Sequence, residues 1–143
     1  SLKDGSKKMS KSELSDLSRI NLTDNKDDII NKIKKAKTDP LPLPNSIDEL
    51  VDRPEAKNLL GIYSSINDNT LEESVNEFKG KNFSEFKEKL SQVLVEKLDP
   101  ISSEIRKLTE DKSFLDNILL DGQRKADDFA SNKMKKMRDI IGF

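Results

Sequence analysis

The chain has 143 residues, of which 37% are charged, yet 26 basic and 27 acidic side chains leave a net charge of −1. It contains no cysteine, histidine or tryptophan, which excludes disulfides, thiol nucleophiles, zinc held by Cys or His, and any Ser-His-Asp triad. Near-neutrality argues against a globally basic nucleic-acid binder and leaves only local basic faces. No apolar run approaches the roughly 18 residues of a membrane span, and the first residues lack the hydrophobic stretch of a signal peptide. The expectation is a soluble, cytoplasmic chain with no membrane partner, whose acid–base chemistry rests on carboxylates and lysines.

In chain order, residues 3–12 read KDGSKKMSKS, a lysine- and serine-rich stretch expected to be a flexible loop. The segment DLSRINLTD follows, with Ile20 and Leu22 alternating against polar neighbours, and reads as extended. From Asp27 the period becomes helical. Asp24 or Asn25 can cap that helix, Ile29, Ile30, Ile33 and Ala36 form its apolar face, and lysines stand opposite. The run TDPLPLPNS then forbids helix and favours a stiff, extended connection. Thr38 and Asp39, at the helix end beside it, read as a structural pair.

The next helix opens in DRPEAKNLLGIYSSI, with Asp52 as cap, Pro54 in the first turn and Glu55 completing a capping box. Its buried stripe is Ala56, Leu59, Leu60, Tyr63 and Ile66. Thr70 and Glu73 form another box and open a short helix that Gly80 ends. Asn82 and Glu85 begin the longest stretch, in which Phe86, Leu90, Val93, Leu94, Leu98, Ile101, Ile105 and Leu108 stay in phase. Pro100 inside it predicts a kinked helix, or two nearly coaxial ones with Asp99 capping the second. Ser113 and Asp116 then begin a helix through Leu120, and Gly122 breaks it. A last helix carries Ala126, Phe129, Ala130, Met134, Met137 and Ile140 on its core face. No internal repeat has a fixed period. The body is therefore expected to be all-α, a helical bundle preceded by a flexible loop and a short extended segment.

Chemistry concentrates at Lys8-Met9-Ser10-Lys11-Ser12. Two lysines three residues apart supply compact, mobile ammonium charges, and serines and backbone N–H groups add hydrogen bonds, a combination suited to a polyphosphate. Gly5 upstream is expected to let the loop move, which matters because electrostatic help must peak in the transition state. Removing one such contact typically costs about 3–4 kcal/mol of barrier. The alternative is a solvated tail. A second basic cluster lies in KMKKMRDII, where Lys133, Lys135, Lys136 and Arg138 surround Met134 and Met137. Arg124 and Lys125 are placed where that helix begins, so that backbone N–H groups and side chains can meet a phosphate together. The competing reading makes these lysines a solvated face and the methionines core. Lys32, Lys34, Lys35 and Lys37 offer a further basic face, with ordinary surface pairing as its alternative.

KMSKS is the second signature of class I aminoacyl-tRNA synthetases, and the chain resembles their bacterial-type tryptophanyl branch through nearly its whole length. The blocks RINLTD, KIKKAKTD, RPEAKNLLGIYS, FKGKNFSEFKEKLSQVLVEKLDPI, DGQRKA and a terminal IIGF follow the loop in the order of that branch's C-terminal part. The resemblance implies that residues 1–23 end a class I catalytic domain and that residues 24–143 form a helical anticodon-binding domain. It implies ATP with Mg2+ as cofactor in the complete enzyme, with Lys8 and Lys11 as catalytic residues on the ATP phosphates. Ser10 and Ser12 would shape the loop, and Met9 would anchor it. No metal ligand is implied within this chain. The implied partners are tryptophan, tRNA(Trp), which Arg124 and Lys125 would contact, and a second subunit joined mainly through the catalytic half. The histidine-bearing HIGH-type motif has no counterpart here, so this chain alone is not expected to form tryptophanyl-adenylate. One departure is Glu13-Leu14, where the family often has Asp-Pro. The alternatives are the tyrosyl branch and a non-catalytic helical interaction module with a disordered basic N-terminus.

Overall fold

The computed structural model describes residues 1–142, and every regular element among them is helical. The segment expected to be extended instead makes a 3₁₀ turn at Asp16–Ser18 before Arg19 adopts extended backbone. Helix α1 (Lys26–Lys35) begins with a reciprocal capping box. Asn25 Oδ1 accepts from the Asp28 N–H at 2.9 Å, and Asp28 Oδ2 accepts from the Asn25 N–H at 3.2 Å. Ile29, Ile33 and Ala36 are buried, but Ile30 is exposed and Lys32 lies in the interior. Consecutive helical residues stand about 100° apart, so Ile29 and Ile30 do not share the core direction.

The proline segment is tied down by Leu43. Its N–H donates to the Lys81 carbonyl at 2.9 Å, its carbonyl accepts from the Gly80 N–H at 3.2 Å, and its side chain is buried. Gly80 has φ +68°, the left-handed geometry that glycine adopts without a Cβ penalty. A second 3₁₀ turn (Asp48–Leu50) leads to α2 (Pro54–Ile66). Arg53, not Asp52, is the N-cap residue of α2, and no side chain caps it. That start puts Glu55 at the second helical position rather than the third, out of register for a capping box, and its carboxylate pairs instead with the Lys37 ammonium at 2.7 Å.

Helix α3 (Leu71–Phe78) starts at the expected Thr70–Glu73 box. It packs on α2, and three rings meet edge-on there. Phe78 lies 4.9 Å from Tyr63 and 4.8 Å from Phe86 between centroids, the arrangement favoured by the ring quadrupoles. Around them Ile29, Ile33, Leu50, Leu59, Leu60, Val75, Leu90 and Leu94 complete one core.

Helix α4 (Phe83–Glu110) runs continuously through Pro100. The proline ring is on the exposed side, and hydrogen bonding continues in the following turn, where the Ser102 hydroxyl donates to the Leu98 carbonyl at 2.9 Å. Asp99 does not open a second helix; its carboxylate meets Lys26 of α1 at 3.2 Å. Ile101 and Leu108 are exposed despite keeping the phase.

Two compact units result, one spanning Ser1–Ser103 and the other beginning at Glu104. The second holds the end of α4 and helix α5 (Lys112–Ile141), capped by Asp111, whose Oδ1 accepts from the Phe114 N–H at 3.0 Å. Gly122 does not break α5. A glycine inside a helix costs only about 1 kcal/mol relative to alanine, which a long, capped helix tolerates. Nor do Phe114, Phe129, Met134, Met137 and Ile140 occupy a core; all are exposed, because within this unit only the last turns of α4 accompany α5.

Candidate functional site

The Lys8–Ser12 loop is framed by local chemistry on both sides. Upstream, Asp4 Oδ1 accepts from the Ser6 hydroxyl at 2.6 Å and the Ser6 N–H at 3.1 Å. These bonds, the hydroxyl's first, hold the Asp4 carboxyl below the usual aspartate range. Gly5 presses against the start of α2. A Cβ there would collide with the Pro54 carbonyl and lie 2.6 Å from the Glu55 nitrogen. Close backbone approach, rather than freedom to move, is what glycine supplies at this position.

Within the loop, Lys8, Lys11 and Ser12 are exposed and Ser10 is half-buried. The Ser10 and Ser12 hydroxyls share a 2.9 Å hydrogen bond, which fixes their mutual placement while leaving lone pairs and N–H groups available. Lys8 and Ser10 line a cleft of about 500 Å³ together with Lys3, Asp4, Lys7 and Glu13. Lys7 is engaged by Asp4 at 3.4 Å. Met9, 37% exposed, faces a different groove, lined also by Ile20, Leu22, Ile62 and Leu98. The loop thus turns its thioether toward apolar surface and its ammonium groups toward solvent, a division that suits a polyanionic ligand. Among the described residues, no group of three or more acidic side chains is arranged to hold a metal ion.

Downstream, one side chain carries the loop. Arg19 Nη1 donates to the Glu13 carbonyl at 3.0 Å and to the Ser10 carbonyl at 3.4 Å, and Nε donates to Asn21 Oδ1 at 3.2 Å. Its Nη2 lies 3.0 Å from Asp16 Oδ1. Asp16 in turn lies 2.6 Å from the ammonium of Lys32, which makes an equal contact with Asp24. Asn21 closes the group, its N–H donating to Asp24 at 2.8 Å and its amide to Asp16 at 3.0 Å. Burial works against the Lys32 charge, but the hydrogen bonds that Asp16 and Asp24 accept from its ammonium prevail and raise its pKa above the ordinary lysine value. The Lys32 and Asn21 hydrogen bonds lower the pKa of Asp16. Lys32 is therefore no part of a surface lysine face. Sequence spacing on α1 could not reveal it, because both partners sit in the irregular segment before that helix.

Arg124 and Lys125 are exposed but lie within α5 rather than at its start. Helical hydrogen bonding engages their N–H groups, so the joint backbone and side-chain site expected there does not form. Lys125 pairs with Asp121 at 2.6 Å. The lysines at 133, 135 and 136 and Arg138 are likewise exposed on the same helix.

Known proteins align with these features. The family model described as tRNA synthetases class I (W and Y) matches residues 1–99. The tryptophan–tRNA ligase of Rhizobium meliloti is 52% identical over 143 residues, all of this chain and 40% of its own length. That of Mesorhizobium japonicum is 51% identical over 142 residues, covering 99% of this chain and 40% of the relative. The Rickettsia conorii ligase is 44% identical across 100% of this chain and 43% of its own length. The chain therefore spans about two fifths of the length of these relatives. With its KMSKS loop set on a helical body, and with a family match over residues 1–99, the chain belongs to the class I tRNA synthetases of the tryptophan and tyrosine type.

Proposed function

We propose that this chain is the part of a cytoplasmic tryptophan–tRNA ligase that carries the KMSKS loop and the anticodon-binding helices. In this reading residues 1–23 complete the catalytic domain and residues 24–143 form the tRNA-binding domain. The observation that carries it is the loop itself: Lys8 and Lys11 stand in solvent beside paired Ser10 and Ser12 hydroxyls, on a chain about half identical to ligases of that name. Lys8 and Lys11 stabilise charge on the ATP phosphates as pyrophosphate departs, and Ser10 and Ser12 shape the loop around them. Mg2+ accompanies the nucleotide. Met9 anchors the loop on its apolar side.

The helical part supplies the tRNA(Trp) surface, and the exposed basic side chains of α5, Arg124 and Lys125 included, are its candidate phosphate contacts. Dimerisation belongs to the catalytic part that the longer relatives contain. The chain alone does not form tryptophanyl-adenylate.

The test joins this chain to the sequence preceding it in its reading frame and measures tryptophan-dependent ATP–pyrophosphate exchange. Lys11→Ala should lower kcat about 10²-fold or more, the usual effect of losing one transition-state contact, with little change in tryptophan KM. Equal changes in both parameters would assign Lys11 to uniform substrate binding and remove its proposed role. Robust exchange by residues 1–143 alone would contradict the division of labour.

A further inference from the structure

We propose that Arg19 is a positioning residue for the KMSKS loop, and that its pairing with Asp16 makes the loop's placement answer to helix α1. The catalytic half of this proposal rests on the ligase reading above; the structural half does not. Arg19 touches neither Lys8 nor Lys11. Its guanidinium instead holds two backbone carbonyls that flank Lys11, those of Ser10 and Glu13. Main-chain carbonyls at both ends of so short a stretch fix the direction in which the Lys11 side chain leaves the loop. Arginine suits the task because its rigid fork presents several N–H donors in one plane. Here Nη1 serves the loop, Nε serves Asn21 and Nη2 serves Asp16.

The other end of the chain of contacts lies in the interior. The Arg19 side chain is 18% exposed, and Lys32, which holds Asp16, is 4% exposed. Lys32 belongs to α1, so any shift of that helix is transmitted through Asp16 to Arg19 and thence to the loop carbonyls. Charges balance across the group: Arg19 and Lys32 against Asp16 and Asp24. No residue in it has a role in the loop's phosphate chemistry, yet two of its bonds end on the loop backbone. A side chain with a solely local structural role would have no need to span from α1's ion pair to residues on either side of Lys11.

Two measurements test this. In the 143-residue chain, Arg19→Ala should raise amide hydrogen exchange about tenfold at Glu13, whose N–H donates to the Ser10 carbonyl that Arg19 also holds, while α1 and α2 keep their protection. In the complete protein, the same substitution should lower kcat for pyrophosphate exchange about tenfold or more and leave tryptophan KM unchanged. Arg19→Lys, which keeps the charge opposite Asp16, should retain the thermal midpoint yet fail to restore kcat, because one ammonium cannot hold Asp16 and both carbonyls together. Unchanged loop exchange in Arg19→Ala, or full rescue of kcat by lysine, overturns the positioning role. Loss of protection spread equally over α1 and α2 overturns it too, by assigning Arg19 to general stability. A wild-type complete protein without tryptophan-dependent exchange would sink the ligase reading instead, and the loop's hydrogen exchange would then decide the structural half alone.

Discussion

Arg53 grips Asp39 with two nitrogens, Nε at 3.1 Å and Nη2 at 2.6 Å, and Nη2 also donates to the Pro42 carbonyl at 2.7 Å. The pair clamps the proline segment onto the entrance of α2, and neither side chain is more than 18% exposed. Two parallel N–H···O bonds give the contact directional strength that a lysine would not provide. Asp39→Ala should therefore lower unfolding free energy by about 2 kcal/mol, the scale of hydrogen bonds to a charged group. Urea titration followed by circular dichroism measures it. A change within experimental error would mean that the prolines hold this segment without the clamp.

Lys32 is the more demanding case. Its side chain is 4% exposed, and that of its partner Asp24 only 8%. Lys32→Met removes one charge and leaves Asp24 buried without its cation, a change that typically costs about 3–5 kcal/mol. The double variant Lys32→Met with Asp24→Asn should recover part of that loss. Failure of the second substitution to recover any stability would show that Asp16, not Asp24, dominates the pairing.

Gly5→Ala tests the close approach to α2. With no room for a methyl group against the Pro54 and Glu55 backbone, the N-terminal segment must shift, at a cost of about 1–3 kcal/mol. The denaturation midpoint should fall at constant slope. Leu2 should become accessible to solvent with it. A neutral substitution would show that this contact is readily given up.

Tyr63 provides a spectroscopic reading of the core, because it is the sole tyrosine in a chain without tryptophan. Burial, and then the Glu77 carboxylate that accepts its hydroxyl at 3.0 Å, push its pKa up to about 12. An unfolded tyrosine titrates near 10. The folded state thus retains a proton that the unfolded state has lost, so this contribution to stability is complete below pH of about 10 and fades as pH rises toward 12. Tyrosinate absorbance should show the folded midpoint well above that in urea, and Glu77→Gln should bring it down. A folded midpoint near 10 would place the hydroxyl in water.

What could be read in the sequence depended on how far apart the cooperating residues lie. The boxes Asn25–Asp28 and Thr70–Glu73 were legible because both partners fall within one turn. KMSKS was legible because its five residues are contiguous. Arg19 was not, since it acts on carbonyl oxygens that carry no side-chain signature; a lone arginine soon after the loop was the available clue. Asp52 is not the cap because the helix begins at Pro54 with Arg53 before it, one residue later than the Asp52–Glu55 spacing suggests. In α5 a single glycine, Gly122, signals a helix break in the sequence but has too little breaking power to interrupt so long a helix, so the backbone continues through Arg124 and Lys125.

Lys87 extends its ammonium to the Lys34 and Ala36 carbonyls at 3.1 and 2.6 Å, and its burial lowers its pKa. A cation so engaged with the end of a helix must give up those carbonyls before it can meet a phosphate. Lys26 and Lys37 are occupied by Asp99 and Glu55, and Lys32 is enclosed. Among the described residues, no salt bridge engages the α1 side chains of Lys34 and Lys35. A polyanion laid on this helix would thus have about two phosphates neutralised and release its own condensed counterions accordingly, so the slope of log K against log salt would stay near −1.4 for a single-stranded segment. Lysine content overstates the electrostatic reach of this face.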